Sequence, residues 1–598
     1  MSRSEASGGP LEPPAHDNLY RAFEATVATL GDAAALRWDD DQAVGWNDLR
    51  ERATRIAGGL AALGVRKGDA VAIMLSNGPD FIPLDLGAVA LGAVPFSIYQ
   101  TSSPEQIAHV VRDSGAKVAI VETEYLERFE AARAELPEVE QLIVAGEGGG
   151  DRTLAELEAL DPDFDVEPTV AAVGLDDLLT LIYTSGTTGP PKGVQLTHRN
   201  LLTLVASVED TVPMPGPGEG RVISWLPAAH IAERGAHYYL PVVRGIEVTI
   251  CPDPRRIVEY LPKVRPTWFF AVPRIWEKLK AGLEAMVAGL PDEQREPAQR
   301  GLDAALAKVR AEQAGEAVPD DVAAAAARAD ENMFAALRTQ LGLDQAVAVS
   351  VGAAPTPLEV LEFFHAIGIE IGEVWGMSET CGVATVNPPG RVKLGTVGPA
   401  VPGIDNKLAD DGEVLVRGPG IMAGYRNLPD KTAETFDGDW LRTGDIGALD
   451  DDGYLRIVDR KKELIINAAG KNMSPANIES HLKASSSLIG QAIAIGDGRP
   501  YNVALITLDP DFAPVFAQQQ GIEDGSLANL AEQPAIVAEV QRGVDKANAK
   551  LARVEQIKKF RLLPEDWPPG GDELTPTMKL KRRPIDEKYA AEIAALYS

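Results

Sequence analysis

Thr184-Ser-Gly-Thr-Thr-Gly-Pro-Pro-Lys-Gly193 follows directly on the apolar run Leu178-Leu-Thr-Leu-Ile-Tyr183. This junction of an apolar strand with a glycine- and hydroxyl-rich loop decides the reading of the chain. Gly186, Gly189 and Gly193 permit the backbone to turn its N–H groups toward one anion. Ser185, Thr187 and Thr188 add hydroxyl donors, and Lys192 supplies a mobile positive charge. The stretch reads as a cradle for polyphosphate. It is not a P-loop, whose lysine is followed by Ser or Thr; here Gly193 follows Lys192, and two prolines precede the lysine. Glycine-rich linkers seldom set ordered hydroxyls and a lysine behind an apolar strand.

The chain has 598 residues, too many for one hydrophobic core, so two or more domains are expected. With 45% hydrophobic and 24% charged residues, its composition is that of a soluble globular protein. Lys and Arg number 57 against 88 Asp and Glu, a net charge of −31 that disfavours nucleic acid and anionic lipid as partners. Positive charge for a nucleotide must therefore be local, and it is concentrated at Arg460-Lys-Lys462 and Lys579-Leu-Lys-Arg-Arg583. Cys251 and Cys381 are the only cysteines, which excludes a disulfide framework or a four-cysteine zinc site. The polar N-terminus lacks an apolar signal core, and the richest apolar stretch, residues 86–99, is shorter than the roughly 20 residues of a spanning helix. A cytoplasmic protein with at most peripheral membrane contact is expected.

Helical and strand patterns alternate: 46–63 helix, 69–75 strand, 104–113 helix, 117–121 strand, with further strands at 221–225, 246–251 and 267–272. Such alternation predicts an α/β fold with parallel sheets. Residues 279–341 read as a helical insertion. From Glu413-Val-Leu-Val-Arg417 to Leu455-Arg-Ile-Val458, short strands and turns predict a small β-rich subdomain. Beyond Asp459, strands at 491–495 and 503–508 and a helix at 535–551 predict a second, α+β region. The expected division is a disordered tail at 1–17, a large domain at 18–459 and a smaller one at 460–598.

The order hydroxyl, Gly, two hydroxyls, Gly, Pro-rich step, Lys-Gly resembles the signature loop of the adenylate-forming enzymes: acyl-CoA synthetases, peptide-synthetase adenylation domains and beetle luciferases. Further stretches resemble that family's motifs in the same order. Val374-Trp-Gly-Met-Ser-Glu379 resembles the aromatic-Gly-x-Thr-Glu motif, with Trp375 for the usual Tyr and Ser378 for Thr. The resemblance implies that Glu379 engages magnesium, Ser378 the α-phosphate, and Trp375 and Gly376 the adenine region. Trp440-Leu-Arg-Thr-Gly-Asp445 resembles the ribose motif, so Asp445, aided by Arg460, would accept the two ribose hydroxyls. In Ser350-Val-Gly-Ala-Ala-Pro355, Gly352, Ala353 and Ala354 would lie against adenine. In Leu226-Pro-Ala-Ala-His-Ile-Ala-Glu-Arg234, His230 either shapes the carboxylate site or is a satisfied core histidine. Leu574-Thr-Pro-Thr-Met-Lys-Leu-Lys-Arg582 resembles the last motif; by register its lysine is Lys579, with Met578 in place of Gly and Lys581 as the alternative. The hinge of a mobile C-terminal domain would fall at Lys461 or Lys462. Asn467-Ala-Ala-Gly-Lys471, with Gly470 and Lys471, would line the thiol channel. Cys381 has no local base and reads as structural.

Pro273-Arg-Ile-Trp-Glu-Lys278, the histidine motif, the insertion and the C-terminal motif most resemble long-chain fatty acyl-CoA synthetases. The resemblance implies activation of a fatty acid with Mg·ATP to acyl-adenylate and transfer to coenzyme A. Rivals of the same fold are a fatty acyl-AMP ligase and an aryl-CoA ligase; a non-catalytic regulator should lack Glu379 or Lys579. A homodimer is compatible with this reading.

Overall fold

A computed structural model of the chain describes residues 5–39, 42–184, 190–468, 471–575 and 578–598. The largest sheet runs in the order Gly424–Tyr425, Lys192–Thr197, Leu178–Thr184, Val94–Ser97, Ala70–Met74, Val118–Glu122, Gln141–Ala145, Arg152–Thr153. Its pairings are parallel except at one end, where Lys192–Thr197 lies antiparallel to both Leu178–Thr184 and Gly424–Tyr425. Every residue of Ala70–Met74 is buried, as expected of a strand covered on both faces. Side chains alternate across a strand. Val71 and Ile73 accordingly enter one core, and Ala70, Ala72 and Met74 enter another. The apolar stretch 86–99 is accounted for by the helix Phe81–Ala90, buried at every position, and the strand Val94–Ser97. Among the described residues no helix is long and apolar enough to cross a membrane.

Two further four-stranded sheets complete the large α/β part. One holds Arg221–Ser224 and Glu247–Ile250, the other Trp268–Ala271, Ala348–Val351 and Ile371–Trp375. The helices Pro273–Ala288, Asp292–Gln313, Asp320–Ala329 and Ala335–Gln340 form the insertion. In the β-rich subdomain Trp440–Leu449 is flanked by Glu413–Arg417 and Leu455–Arg460. The N-terminal expectation needs correcting. Glu5–Ser7 is a strand antiparallel to Asp405–Leu408, with Ala6 buried, not part of a disordered tail. An edge strand offers unpaired backbone groups that a short, polar segment can satisfy, and three residues leave no periodic signal to read.

The core of the larger part reaches Leu455, and a separate core begins at Ile465 around Ile489–Ile495, Asn502–Leu508 and the helices Pro475–Ser485 and Pro534–Lys550. Ion pairs dock the two parts. Arg274 pairs with Asp509 and Lys550 with Glu359, while Lys278 Nζ lies 2.5 Å from Asp511 Oδ2.

Candidate active site

Where the two parts meet lies a cavity of about 2350 Å³. Lys192 enters it from the hairpin, where Lys192 and Thr184 face each other as antiparallel partners. Ser185, Gly186, Thr187, Thr188 and Gly189 lie outside the described residues, as does Gly470. Burial lowers the Lys192 pKa, and Glu379 partly opposes this. The ammonium sits 4.2 Å from the Tyr425 ring centroid. Tyr425 in turn donates to Glu379 Oε1 at 2.7 Å. Glu379 is itself buried, on the short turn Ser378–Thr380, whose end Cys381 takes φ 56°. Burial pushes the Cys381 thiol up to about 12, so it stays protonated and inert. Gly376 is required by packing: an added Cβ would lie 2.3 Å from the Gly382 carbonyl oxygen.

Asp445 and Arg460 are cross-strand partners, and Arg460 Nε lies 2.8 Å from Asp445 Oδ1. The other carboxylate oxygen, Oδ2, accepts the indole N–H of Trp375 at 2.8 Å. Burial raises the Asp445 pKa, while Arg460, the indole and Lys579 counter it. Ser350, Ala353 and Ala354 line the cavity, Ala353 with φ 70°. Gly352 does not. It is buried behind the wall, where a Cβ would meet Val374 Cγ2 at 2.8 Å, so its small size serves strand packing. Glu373, which the motifs did not single out, shares a strand face with Trp375 and lines the cavity; burial pushes its carboxyl up to about 8.

His230 lines the cavity half-buried. Its Nδ1 accepts from Ala232 N–H at 3.1 Å. Burial, then the charge of Lys579, lowers its pKa to about 3. The ring is therefore neutral with its proton on Nε2, a donor and not a cation.

The basic run near the C-terminus resolves into separate tasks. Lys581 Nζ donates to the Gly571 carbonyl at 2.8 Å. Arg582 forks onto Glu479 at 2.8 and 2.9 Å. Lys579 instead stands in the cavity, solvent-reachable yet ringed by protein. Burial lowers its pKa, Arg460 lowers it further, and Asp445 and Glu379 oppose the shift. Its backbone is pinned by Thr575, whose Oγ1 accepts the Lys579 N–H at 3.0 Å and whose N–H donates to the Lys579 carbonyl at 2.8 Å. Met578, standing where Gly was expected, takes φ 65°.

Of the hinge candidates, Lys461 Nζ bonds Asp411 at 2.5 Å and Glu413 at 2.9 Å, both on the β-rich subdomain. Lys462 makes neither bond and lines the cavity. Lys471 is exposed and does not line the cavity in this arrangement.

From the His230 end the cavity continues between apolar walls. They include Leu204, Val208 and Val212, at and just beyond the helix His198–Thr211, and Gly235, Ala236 and Leu240. Trp268 and Phe270 add to this lining. Gly235 and Ala236 belong to Arg234–Tyr239, a π-helical segment, a rare geometry often found at functional sites. Buried charge braces it. Arg234 contacts Asp85 and Tyr239 Oη, and Glu233 Oε2 accepts from Leu226 N–H at 2.9 Å and lies 2.6 Å from His237 Nδ1. No sequence pattern marks this lining, because it comes from separate segments, 204–212, 235–240 and 268–270.

The layered α/β part and the smaller α+β part that sets Lys579 into its cavity have the architecture of the adenylate-forming enzymes. The chain belongs to the AMP-binding enzyme family. The profile of that family matches residues 23–426, and that of the AMP-binding enzyme C-terminal domain matches residues 462–598. It is 52% identical to a Mycobacterium tuberculosis protein named fatty-acid–CoA ligase fadD11, over 73% of this chain and 76% of the relative. It is 37% identical to long-chain-fatty-acid–CoA ligase FadD15 of Mycobacterium bovis, over 92% and 93%. The solved structure of anthranilate CoA ligase AuaEII in complex with anthranoyl-AMP superposes with a TM-score of 0.73 at 22% identity, covering 97% of this chain and 98% of that one. That last likeness concerns the fold alone.

Proposed function

We propose that the protein is an AMP-forming long-chain fatty acid:CoA ligase. The observation that carries this reading is the continuity of one cavity, from the polar cluster of Glu379, Asp445, His230 and Lys579 into the apolar channel beside Gly235. A carboxylate head and a long hydrocarbon tail fit such a shape. The names of the relatives agree with it.

In the first step a carboxylate oxygen bonds to the α-phosphorus of ATP as the bond to pyrophosphate breaks. The obstacle is repulsion between anions. Lys579 places a positive charge between them, Lys192 and the loop bind the leaving phosphates, and neutral His230 can donate to the carboxylate without neutralising the nucleophile. Asp445 and Arg460 hold the ribose. In the second step the thiol of coenzyme A attacks the acyl carbon, and the C–O bond to AMP breaks. Pantetheine then needs the room that Lys579 occupies, so the C-terminal part must turn. With Lys461 tied to the β-rich subdomain, Lys462 is our choice of hinge, and Lys471 would approach the thiol path after the turn.

Magnesium fits this donor set. Glu379 is a buried carboxylate that lines the cavity, and magnesium is commonly bound by one or two carboxylates with substrate phosphates and water. Glu379 would hold it, and when bound it supplies charge neutralisation to the phosphates. Tyr425→Phe should then raise the magnesium concentration for half-maximal rate by roughly 10-fold or more, as is typical when a residue orienting a metal ligand is lost. A magnesium titration of initial rates checks this, with unchanged dependence placing the metal elsewhere.

The reading is tested by pyrophosphate release over straight-chain acids from acetate to arachidate, and benzoate, with and without coenzyme A. Long-chain acids should be the best substrates, and coenzyme A should be consumed. A preference for acetate or benzoate would remove the long-chain assignment. Turnover that ignores coenzyme A would favour an acyl-AMP ligase.

A further inference from the structure

We propose that Trp375 positions the ribose-binding carboxylate through its indole N–H, in addition to offering a face to adenine. The proposal rests on the reading above that Asp445 receives the ribose.

Trp375 ends the strand Ile371–Trp375, and its backbone is fixed by pairing with Thr385 and by Ala384 N–H donating to its carbonyl at 2.8 Å. The ring edge is thereby aimed across to the β-rich subdomain, where Nε1 donates to Asp445 Oδ2 at 2.8 Å. Arg460 takes Oδ1 from the opposite side, also at 2.8 Å. Asp445 is 4% exposed, so its orientation is set by these two partners and not by water. An ionised carboxylate has about four lone-pair sites. Two are engaged, one on each oxygen, and the two left over match the two hydroxyls of a ribose.

Among aromatic side chains only Trp joins a broad flat face to an N–H on the ring edge. A Phe at 375 would keep a face for the base and lose the donor. The two partners of Asp445 also differ in place. Arg460 adjoins the hinge candidates, whereas the Trp375 contact lies wholly within the larger part of the chain. It would therefore persist when the C-terminal part turns, keeping the carboxylate aimed at the nucleotide through both steps.

The experiment is calorimetric binding of Mg·ATP and of 2′,3′-dideoxy-ATP, without acid, to the full-length protein and to its W375F, D445A and W375F/D445A variants. A hydrogen bond to a charged group is worth enough that W375F should weaken ATP by roughly 10-fold or more. It should weaken dideoxy-ATP, which has no hydroxyl for Asp445, by markedly less, and in the D445A background its penalty on ATP should fall to the dideoxy value. Retained dideoxy-ATP binding shows that W375F is folded. Equal weakening of both nucleotides by W375F, or no weakening of either, overturns the proposal and leaves Trp375 only its face. D445A separately should weaken ATP and spare dideoxy-ATP. If it treats the two alike, the ribose assignment itself falls, and the role of Trp375 with it.

Discussion

Lys579→Ala is expected to slow acyl-adenylate formation from acid and Mg·ATP by ~10² to 10³-fold, the usual loss when a preorganised donor facing developing charge is removed. Acyl-CoA formation from supplied acyl-AMP should stay near the wild-type rate. The asymmetry follows from placement. Thr575 pins the Lys579 backbone so that the ammonium stands among Asp445, Glu379, Arg460 and His230, where a carboxylate must approach the α-phosphate. Once the adenylate has formed, the charge has no further task, and the side chain stands in the way of the thiol. Single-turnover assays of the two half-reactions separate the effects. Equal loss in both would point to misfolding or a blocked turn. Loss in neither would move the role away from Lys579. Lys581→Ala provides the companion result: its ammonium is held by the Gly571 carbonyl, so adenylation should change little.

Gly235→Phe is expected to lower kcat/KM for palmitate by on the order of 10- to 100-fold, the cost of forcing bulk into an occupied apolar space, and to spare hexanoate. A Cβ at position 235 would meet only Leu204 Cδ2, at 3.7 Å. Alanine therefore fits, whereas a benzyl group adds bulk to the apolar part of the cavity lining that a long tail would contact. Since the polar cluster is untouched, the loss should grow with chain length. Steady-state kinetics over a series of acids measures it, with Gly235→Ala as the folded control. A uniform loss for short and long acids would show that the channel beside Gly235 does not hold the tail.

The parts of the site legible in the sequence are those where chemistry restricts residue type within a short span. A lysine behind glycines and hydroxyls, Glu379 after an aromatic-Gly turn, and Asp445 in its own short motif could each be picked out, and all the described ones reach the same cavity. Lys579 could be placed only to within two residues, because Lys581 offers the same ammonium; a tertiary contact, Lys581 with Gly571, separates them. Tyr425 carried no signal, since a tyrosine that orients a carboxylate looks like any other buried tyrosine. At Gly352 small size has a second reading that the sequence does not distinguish from approach by a ligand: an added Cβ would meet Val374 Cγ2 at 2.8 Å. The apolar channel was hidden for two reasons. Its walls come from 198–212 and 231–240, and a π-helical turn breaks the 3.6-residue period by which helix faces are recognised. The strands expected at 69–75, 117–121, 221–225, 246–251 and 267–272 followed from apolar runs and lie within one residue of the observed ends. Sheet order did not, because which parallel strands become neighbours depends on packing across the whole domain.

The most direct measurement follows the oxygen. With palmitate carrying ¹⁸O in both carboxylate positions, Mg·ATP and coenzyme A, mass spectrometry of the products should find palmitoyl-CoA, pyrophosphate, and AMP holding one ¹⁸O. That label reaches the phosphate only if a carboxylate oxygen bonds to the α-phosphorus and the acyl C–O bond later breaks. Unlabelled AMP, or ADP and phosphate in place of AMP and pyrophosphate, would contradict the acyl-adenylate route.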